Sequence, residues 1–149
     1  MTHAILADLH AKAFAPERGW TAEEFTNLLA SPHTYLFTQN HGFALVRAIA
    51  GEAELLTLAV DPAHQRNGIA NGLMLEWMRA VPVKTAFLEV AADNMAAQAL
   101  YTKHGFAKSG LRKAYYRRPN GPAVDAVLMQ AALTCRQTGE STLSNPKTG

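Results

Sequence analysis

The sequence predicts an α/β fold in a single domain over residues 1–133. Three observations carry that expectation. Apolar positions switch between helical and strand spacing in the order helix, helix, three strands, helix, strand, helix, two strands. Gly, Pro, Asn and Asp fall between these segments, where turns are needed. The 149 residues are 48% hydrophobic and 17% charged, a globular balance in a length that buries about two-thirds of the unfolded surface.

Ala4 to Phe14 places Ile5, Leu6, Leu9 and Ala13 on one helical face. Thr21 and Glu24 form a capping-box pattern flanked by Trp20 and Phe25, so a second helix starts at Thr21 and runs to about Ala30, before Ser31-Pro32. Tyr35 to Phe37 and Phe43 to Ile49 read as strands joined across Gln39-Asn40-His41-Gly42. Gly51 separates them from a strand over Ala53 to Val60. Asp61-Pro62 ends that strand, and Gly68 opens a helix carrying Ile69, Leu73, Trp77 and Met74, Met78, Val81 in two rows, closed before Pro82. Thr85 to Val90 is the next strand. Asn94 or Asp93 caps a helix from Met95 to His104 that Gly105 closes. The last strands, about Ala107 to Tyr116 and Val124 to Ala131, are joined through Pro119-Asn120-Gly121-Pro122. Residues 134–149 are expected to form a disordered polar tail, with Arg136 to Gly149 rich in Gly, Ser, Thr and Pro.

A net charge of +2 is too small to argue for nucleic-acid or membrane binding. The lone Cys135 has no partner for an internal disulfide. The six histidines show no ligand-like spacing with Cys or acidic residues, so no metal is expected. Without a signal-peptide pattern or an apolar run long enough to span a bilayer, the expected location is the cytoplasm.

The run from Val60 through Asp61-Pro62 to Gly68 suits a pyrophosphate. A glycine at the mouth of a helix lets a phosphate approach the backbone, and the free N–H groups of the first turn point at the anion. Tight strand-to-helix turns also carry glycine for packing alone, and the turn by itself leaves both readings open. Gln65-x-x-Gly68-x-Ala70 matches the acetyl-CoA signature of the Gcn5-related N-acetyltransferases. Downstream, Phe87-Leu88-Glu89-Val90, Asp93-Asn94, Ala99-Leu100-Tyr101 and His104-Gly105-Phe106 resemble the second half of that family's core. Glu54 to Pro62 and the pair Tyr115-Tyr116 resemble its subgroup of bacterial ribosomal-protein alanine N-acetyltransferases. The resemblance runs from about Glu52 to Leu133.

This resemblance implies a central mixed, mostly antiparallel sheet of about six strands flanked by four helices. Family members usually begin with a strand, so the sheet is expected to lack its first edge strand. It implies acetyl-CoA as donor and, as acceptor, the N-terminal alanine amine of a small-subunit ribosomal protein. Protein lysine or a small amine is the alternative acceptor, and a non-catalytic acyl-CoA-binding module is the alternative outside enzymes. The strand ending at Val60 and the strand from Thr85 should splay, and backbone groups of Leu58, Ala59 and Val60 should pair with the pantetheine arm and polarise the thioester carbonyl. The turn Gln65, Arg66, Asn67, Gly68, Ile69, Ala70 should seat the pyrophosphate, and Asn94 should bond the arm from across the gap. Asn71, which stands where close relatives commonly place arginine, is counted with these cofactor-binding residues.

Two side chains are candidates for proton transfer. Glu89 sits in an apolar strand, where a carboxylate is costly unless solvated or used. Alternation sets it with Phe87, opposite Ala86, Leu88 and Val90. The resemblance makes it the general base for an amine that is mostly protonated at neutral pH. Tyr101 is either a boundary aromatic or, as the resemblance implies, the acid that protonates the CoA sulfur. Arg112, Lys113, Tyr115, Tyr116, Arg117 and Arg118 read either as a solvated hairpin tip or as a wall of the acceptor groove, with Tyr115 and Tyr116 against the peptide.

Overall fold

A computed structural model describes residues 1–15 and 17–133. The expected tail and Cys135 lie outside the described residues. The elements are α1 (His3–Phe14), α2 (Ala22–Leu29), β1 (Thr34–Gln39), β2 (Gly42–Ile49), β3 (Glu52–Val60), a 3-10 turn (Pro62–His64), α3 (Ile69–Ala80), β4 (Thr85–Ala91), α4 (Met95–Lys103), β5 (Ala107–Arg118) and β6 (Gly121–Ala132). This is the expected order. The strands form one sheet in the order β1-β2-β3-β4-β6-β5. Only β3 and β4 run parallel; the other neighbours are antiparallel. β1 forms one edge, and no strand precedes α1 among the described residues.

The local signals act as their chemistry requires. Thr2 Oγ1 accepts the Ile5 N–H at 3.2 Å and opens α1. Both halves of the Thr21–Glu24 capping box form, and Trp20 packs on Phe25 with ring centroids 5.6 Å apart. The face of α1 differs from the expected one. Ile5 is 51% exposed, whereas His10 is buried with Leu6 and Leu9. A histidine is tolerated there because both ring nitrogens are used. Nδ1 accepts the Trp20 N–H at 3.1 Å, which leaves the proton on Nε2 to donate to Thr57 Oγ1 at 3.0 Å.

The sheet lies between two helical layers. Leu73, Met74, Trp77 and Met78 of α3 pack with Tyr101 of α4 against Ala44, Val46, Leu55, Leu88 and Met129. The Trp77 indole N–H is satisfied by Met74 Sδ at 3.3 Å. On the other face Leu6, Leu9 and Phe25 cover Phe43, Leu45 and Ala59. A β-bulge in β3 divides these loyalties. Leu45 pairs with Thr57 and Val46 with Leu55, so Leu56 is the extra residue. Leu55 therefore faces α3, while Thr57, two residues on, faces α1.

The final hairpin is longer than the sequence suggests. Its strands meet at a two-residue turn, Pro119-Asn120, with Arg118 opposite Gly121. Pro122 is tolerated in β6 because the β4 ladder reaches only to Ala126, so its missing N–H leaves no gap in that ladder.

Candidate active site

The site begins where β3 and β4 part. Their parallel ladder joins Glu52 to Thr85, Ala53 to Ala86 and Glu54 to Phe87, and it ends there among the described residues. β4 continues along β6 to Ala91, while β3 continues along β2 to Val60. A cleft therefore opens between 55–60 and 88–91, bordered on one side by the backbone of Leu58, Ala59 and Val60. A strand edge without a neighbour offers its N–H and C=O groups to whatever enters, as an extended pantetheine arm with its two amides would.

At the end of β3 the chain turns into α3. Asp61 Oδ1 accepts the Ala63 N–H at 3.0 Å, which folds the 3-10 turn back on itself. Gln65, Arg66, Asn67 and Gly68 are all exposed. Arg66 and Gly68 both take positive φ, 67° and 79°. Packing does not demand the glycine, because a Cβ on Gly68 would meet no atom within 4 Å; its left-handed backbone does. No side chain caps α3. The N–H groups of Ile69, Ala70 and Asn71 thus open onto a free surface with the positive end of the helix dipole behind them. The side chain of Asn71 turns to α4 instead, its Oδ1 2.7 Å from His104 Nε2. Across the cleft, Asn94 Oδ1 caps α4 by accepting the Ala97 N–H at 3.1 Å, leaving its exposed NH₂ as a donor.

Glu89 falls on the expected face of β4, with Ala86, Leu88 and Val90 buried opposite. Arg112 Nε of β5 donates to Glu89 Oε2 in a close charge-assisted bond. Tyr101 is almost wholly buried on α4, its ring edge-on to Phe106 at 6.2 Å. Burial, reinforced by nearby Tyr116, pushes its phenol up to about 12. Tyr116 is likewise pushed up to about 12, first by burial and then by Glu89. Glu89 thus acts on Tyr116 and Tyr116 on Tyr101, so Tyr116 links the other two candidates.

The hairpin cluster stands beside Glu89, through Arg112. Tyr115 meets Tyr116 edge-on at 5.2 Å, Arg112 lies over Tyr115 at 5.5 Å, and Arg118 lies 6.0 Å from the Tyr116 ring. Arg118 is the anchor. Its guanidinium pairs with Asp93 at 2.7 Å after β4 and with Glu17 at 2.9 Å before α2. These ties hold the hairpin tip against the body of the fold. Tyr115, 51% exposed, is the part left open to solvent.

Three contributors had no signal in the sequence. Gln98 Nε2 donates to the carbonyls of Ala91 and Ala92 at 3.1 and 3.0 Å, tying α4 to the end of β4. Gly72 lets Gln39 approach, since a Cβ there would sit 2.8 Å from Gln39 Nε2. Asp125 accepts the Ala114 N–H at 2.7 Å. Each acts outside its own helix or strand, so neither periodicity nor a short motif marks it.

Comparison with known proteins agrees with this architecture. The acetyltransferase (GNAT) family model matches residues 3–106. The chain is 38% identical over 120 residues to the N-alpha-acetyltransferase RimI of Mycobacterium tuberculosis, covering 74% of this chain and 76% of that one. It is 35% identical over 135 residues to the ribosomal protein bS18-alanine N-acetyltransferase of Escherichia coli K12, covering 86% and 90%. The crystal structure of the E. coli ribosomal-protein-S18-alanine N-acetyltransferase superposes with a TM-score of 0.80 at 28% identity, over 96% of this chain and 93% of that one. With a parted strand pair, an uncapped glycine turn and a family match over most of its length, this chain belongs to the acetyltransferase (GNAT) family and is an N-acetyltransferase.

Proposed function

We propose that this chain transfers the acetyl group of acetyl-CoA to the N-terminal alanine amine of a small-subunit ribosomal protein. What supports this reading is the link from Glu89 through Tyr116 to Tyr101, in a chain whose relatives at 35–38% identity include bS18-alanine N-acetyltransferases. The family takes its acetyl group from acetyl-CoA. The exposed turn at Gly68 and the open edge of β3 suit the pyrophosphate and the pantetheine arm.

In this reading Glu89 takes the proton of the acceptor ammonium, directly or through a water, worth about 10²- to 10⁴-fold in rate. Backbone N–H groups near Leu58, Ala59 and Val60 stabilise the oxyanion as the amine nitrogen bonds to the carbonyl carbon. As the C–S bond breaks, Tyr101 gives a proton to the CoA sulfur, and the second proton that the nitrogen sheds on becoming an amide restores the phenol through water. Unperturbed values make phenol and thiol nearly matched, but a phenol near 12 holds its proton more firmly. Burial raises a thiol in the same pocket too. Tyr101 therefore starts as a hydrogen-bond donor to the sulfur and completes transfer late in bond cleavage. Tyr115 and Tyr116 line the path of the peptide behind the reacting amine.

The test is mass spectrometry after incubation with acetyl-CoA and three acceptors. These are a ribosomal-protein peptide with a free N-terminal alanine, the same peptide blocked at its N-terminus but carrying lysine, and a small polyamine. Acetylation of the alanine amine alone is expected. Transfer to lysine or polyamine instead removes the assigned acceptor and keeps the acyl-transfer chemistry.

A further inference from the structure

One group of ligating side chains has no part in acetyl transfer. His41 in the β1–β2 turn and His64 at the end of the 3-10 turn stack face to face, centroids 3.5 Å apart and planes within 4°. Asp61 lies beside them, with Oδ2 3.7 Å from His64 Nδ1. One ligand atom from each of the three falls within 4.8 Å of the others. His64 Nδ1 is buried without a hydrogen-bond partner, an arrangement native proteins keep for a reason.

The backbone holds the two segments together before any ligand arrives. The Asp61 N–H donates to the His41 carbonyl at 2.8 Å, and the His64 N–H donates to the Asp61 carbonyl at 2.8 Å. His41 occupies the left-handed region at φ 70°, which turns its side chain back over the 3-10 turn. Asp61 spends Oδ1 on the Ala63 N–H, and its other oxygen is the one facing His64. Lys12, whose charge also acts on Asp61, is occupied with Asp8 at 3.1 Å.

We propose that His41, Asp61 and His64 form a binding site for a divalent transition-metal cation of the zinc class. Two imidazoles and a carboxylate are a borderline donor set that favours Zn²⁺ and Co²⁺ over Mg²⁺ and Ca²⁺. Three protein ligands leave a fourth position for water. Parallel rings do not aim their lone pairs at one point, so the stack opens on binding. The exposed His41 ring turns about its own side-chain bonds, while His64 and Asp61 keep their half-buried positions. The bound ion would cross-link the β1–β2 turn to the segment leading into Gly68, and so stiffen the strand-to-helix turn from its far side. Spacing along the chain hides such a site, because His41 reaches it across the β2–β3 hairpin.

The experiment uses untagged full-length protein without acetyl-CoA, so its outcome is independent of the acetyl-transfer reading. Zn²⁺ binding is measured by calorimetry, and Co²⁺ binding by its visible absorption, in the native chain and in His41→Gln and His64→Gln. About one Zn²⁺ per chain is expected, with a tetrahedral Co²⁺ spectrum, no comparable Mg²⁺ binding, and affinity about 10- to 100-fold weaker in each variant. Zn²⁺ should also raise the native Tm, and at the same concentration raise it less in both variants. No Zn²⁺ binding, binding that both variants leave unchanged, or equal affinity for Mg²⁺ would overturn the assignment.

Discussion

The Asp125 carboxylate of β6 accepts the Ala114 N–H of β5 at 2.7 Å, opposite the point where the hairpin register breaks. Arg112 pairs with Ala126 and Tyr116 with Val124, so residues 113–115 bulge out against Asp125 alone. Ala114 sits there at φ 50°, a conformation that L residues adopt at some cost. The bulge re-aims Tyr115 and Tyr116, and one hydrogen bond to a charged group holds it, worth about 1.5–3 kcal/mol.

Loss of that bond should therefore be felt by the acceptor and not by the donor. Asp125→Ala is expected to raise the KM for the peptide about 10-fold and to leave the KM for acetyl-CoA unchanged. Asp125→Asn, which keeps an accepting oxygen, should restore most of the loss. Steady-state kinetics with each substrate varied in turn checks this, and an equal rise in both KM values would refute it.

Glu89→Gln should lower kcat by about 10²- to 10⁴-fold with acetyl-CoA affinity nearly intact. Tyr101→Phe should also lower kcat, and its stability should stay near native because the ring still fills its place beside Phe106. With the phenol at about 12, no alkaline limb of the kcat profile below pH 11 should belong to Tyr101. Stopped-flow or calorimetric titration with acetyl-CoA separates binding from turnover in both variants.

Two glycines offer a matched pair. Gly68 and Gly51 have φ of 79° and 83°, and a Cβ at either would meet no atom within 4 Å. Alanine at either position should cost about 1–2 kcal/mol of stability through the left-handed backbone alone. Only Gly68→Ala should also raise the KM for acetyl-CoA, since Gly51 lies in the β2–β3 turn away from the α3 mouth. Urea unfolding of both variants, read beside their kinetics, makes the comparison.

His10 predicts the acid behaviour of the fold. Burial lowers it to about 4, outweighing the pull of Glu24 and aided by Arg18. A depressed histidine favours the folded state while neutral, so its contribution is complete above the unfolded value near 6.5 and is lost as pH falls towards 4. Protonation would also put a donor on Nδ1, where the Trp20 N–H now donates. The Tm should fall over that window, and the fall should be smaller in His10→Gln.

The chain's local chemistry announced its elements and the backbone setting of several candidate residues. Thr21 and Glu24 three residues apart, Gly68 after a broken strand, Asn94 before a helix and Glu89 in an apolar alternation are rules that act within a few residues, and each holds in the fold. Such rules could not show the parting of β3 from β4 after Glu54, because strand partners are chosen by burial of the whole sheet. The bulge at Leu56, which hands Thr57 to α1, is invisible to a period-2 pattern for the same reason. His10 reads as a polar interruption of α1 until Trp20 and Thr57 supply its partners. Arg112 on Glu89, Asp125 on Ala114 and His41 against His64 likewise join residues that only chain folding brings within reach. Short-range sterics and hydrogen bonding thus decided what each segment became. Which side chains met was decided by the tertiary packing, because the free energy of burying two faces of one sheet belongs to the whole assembly and to no single segment.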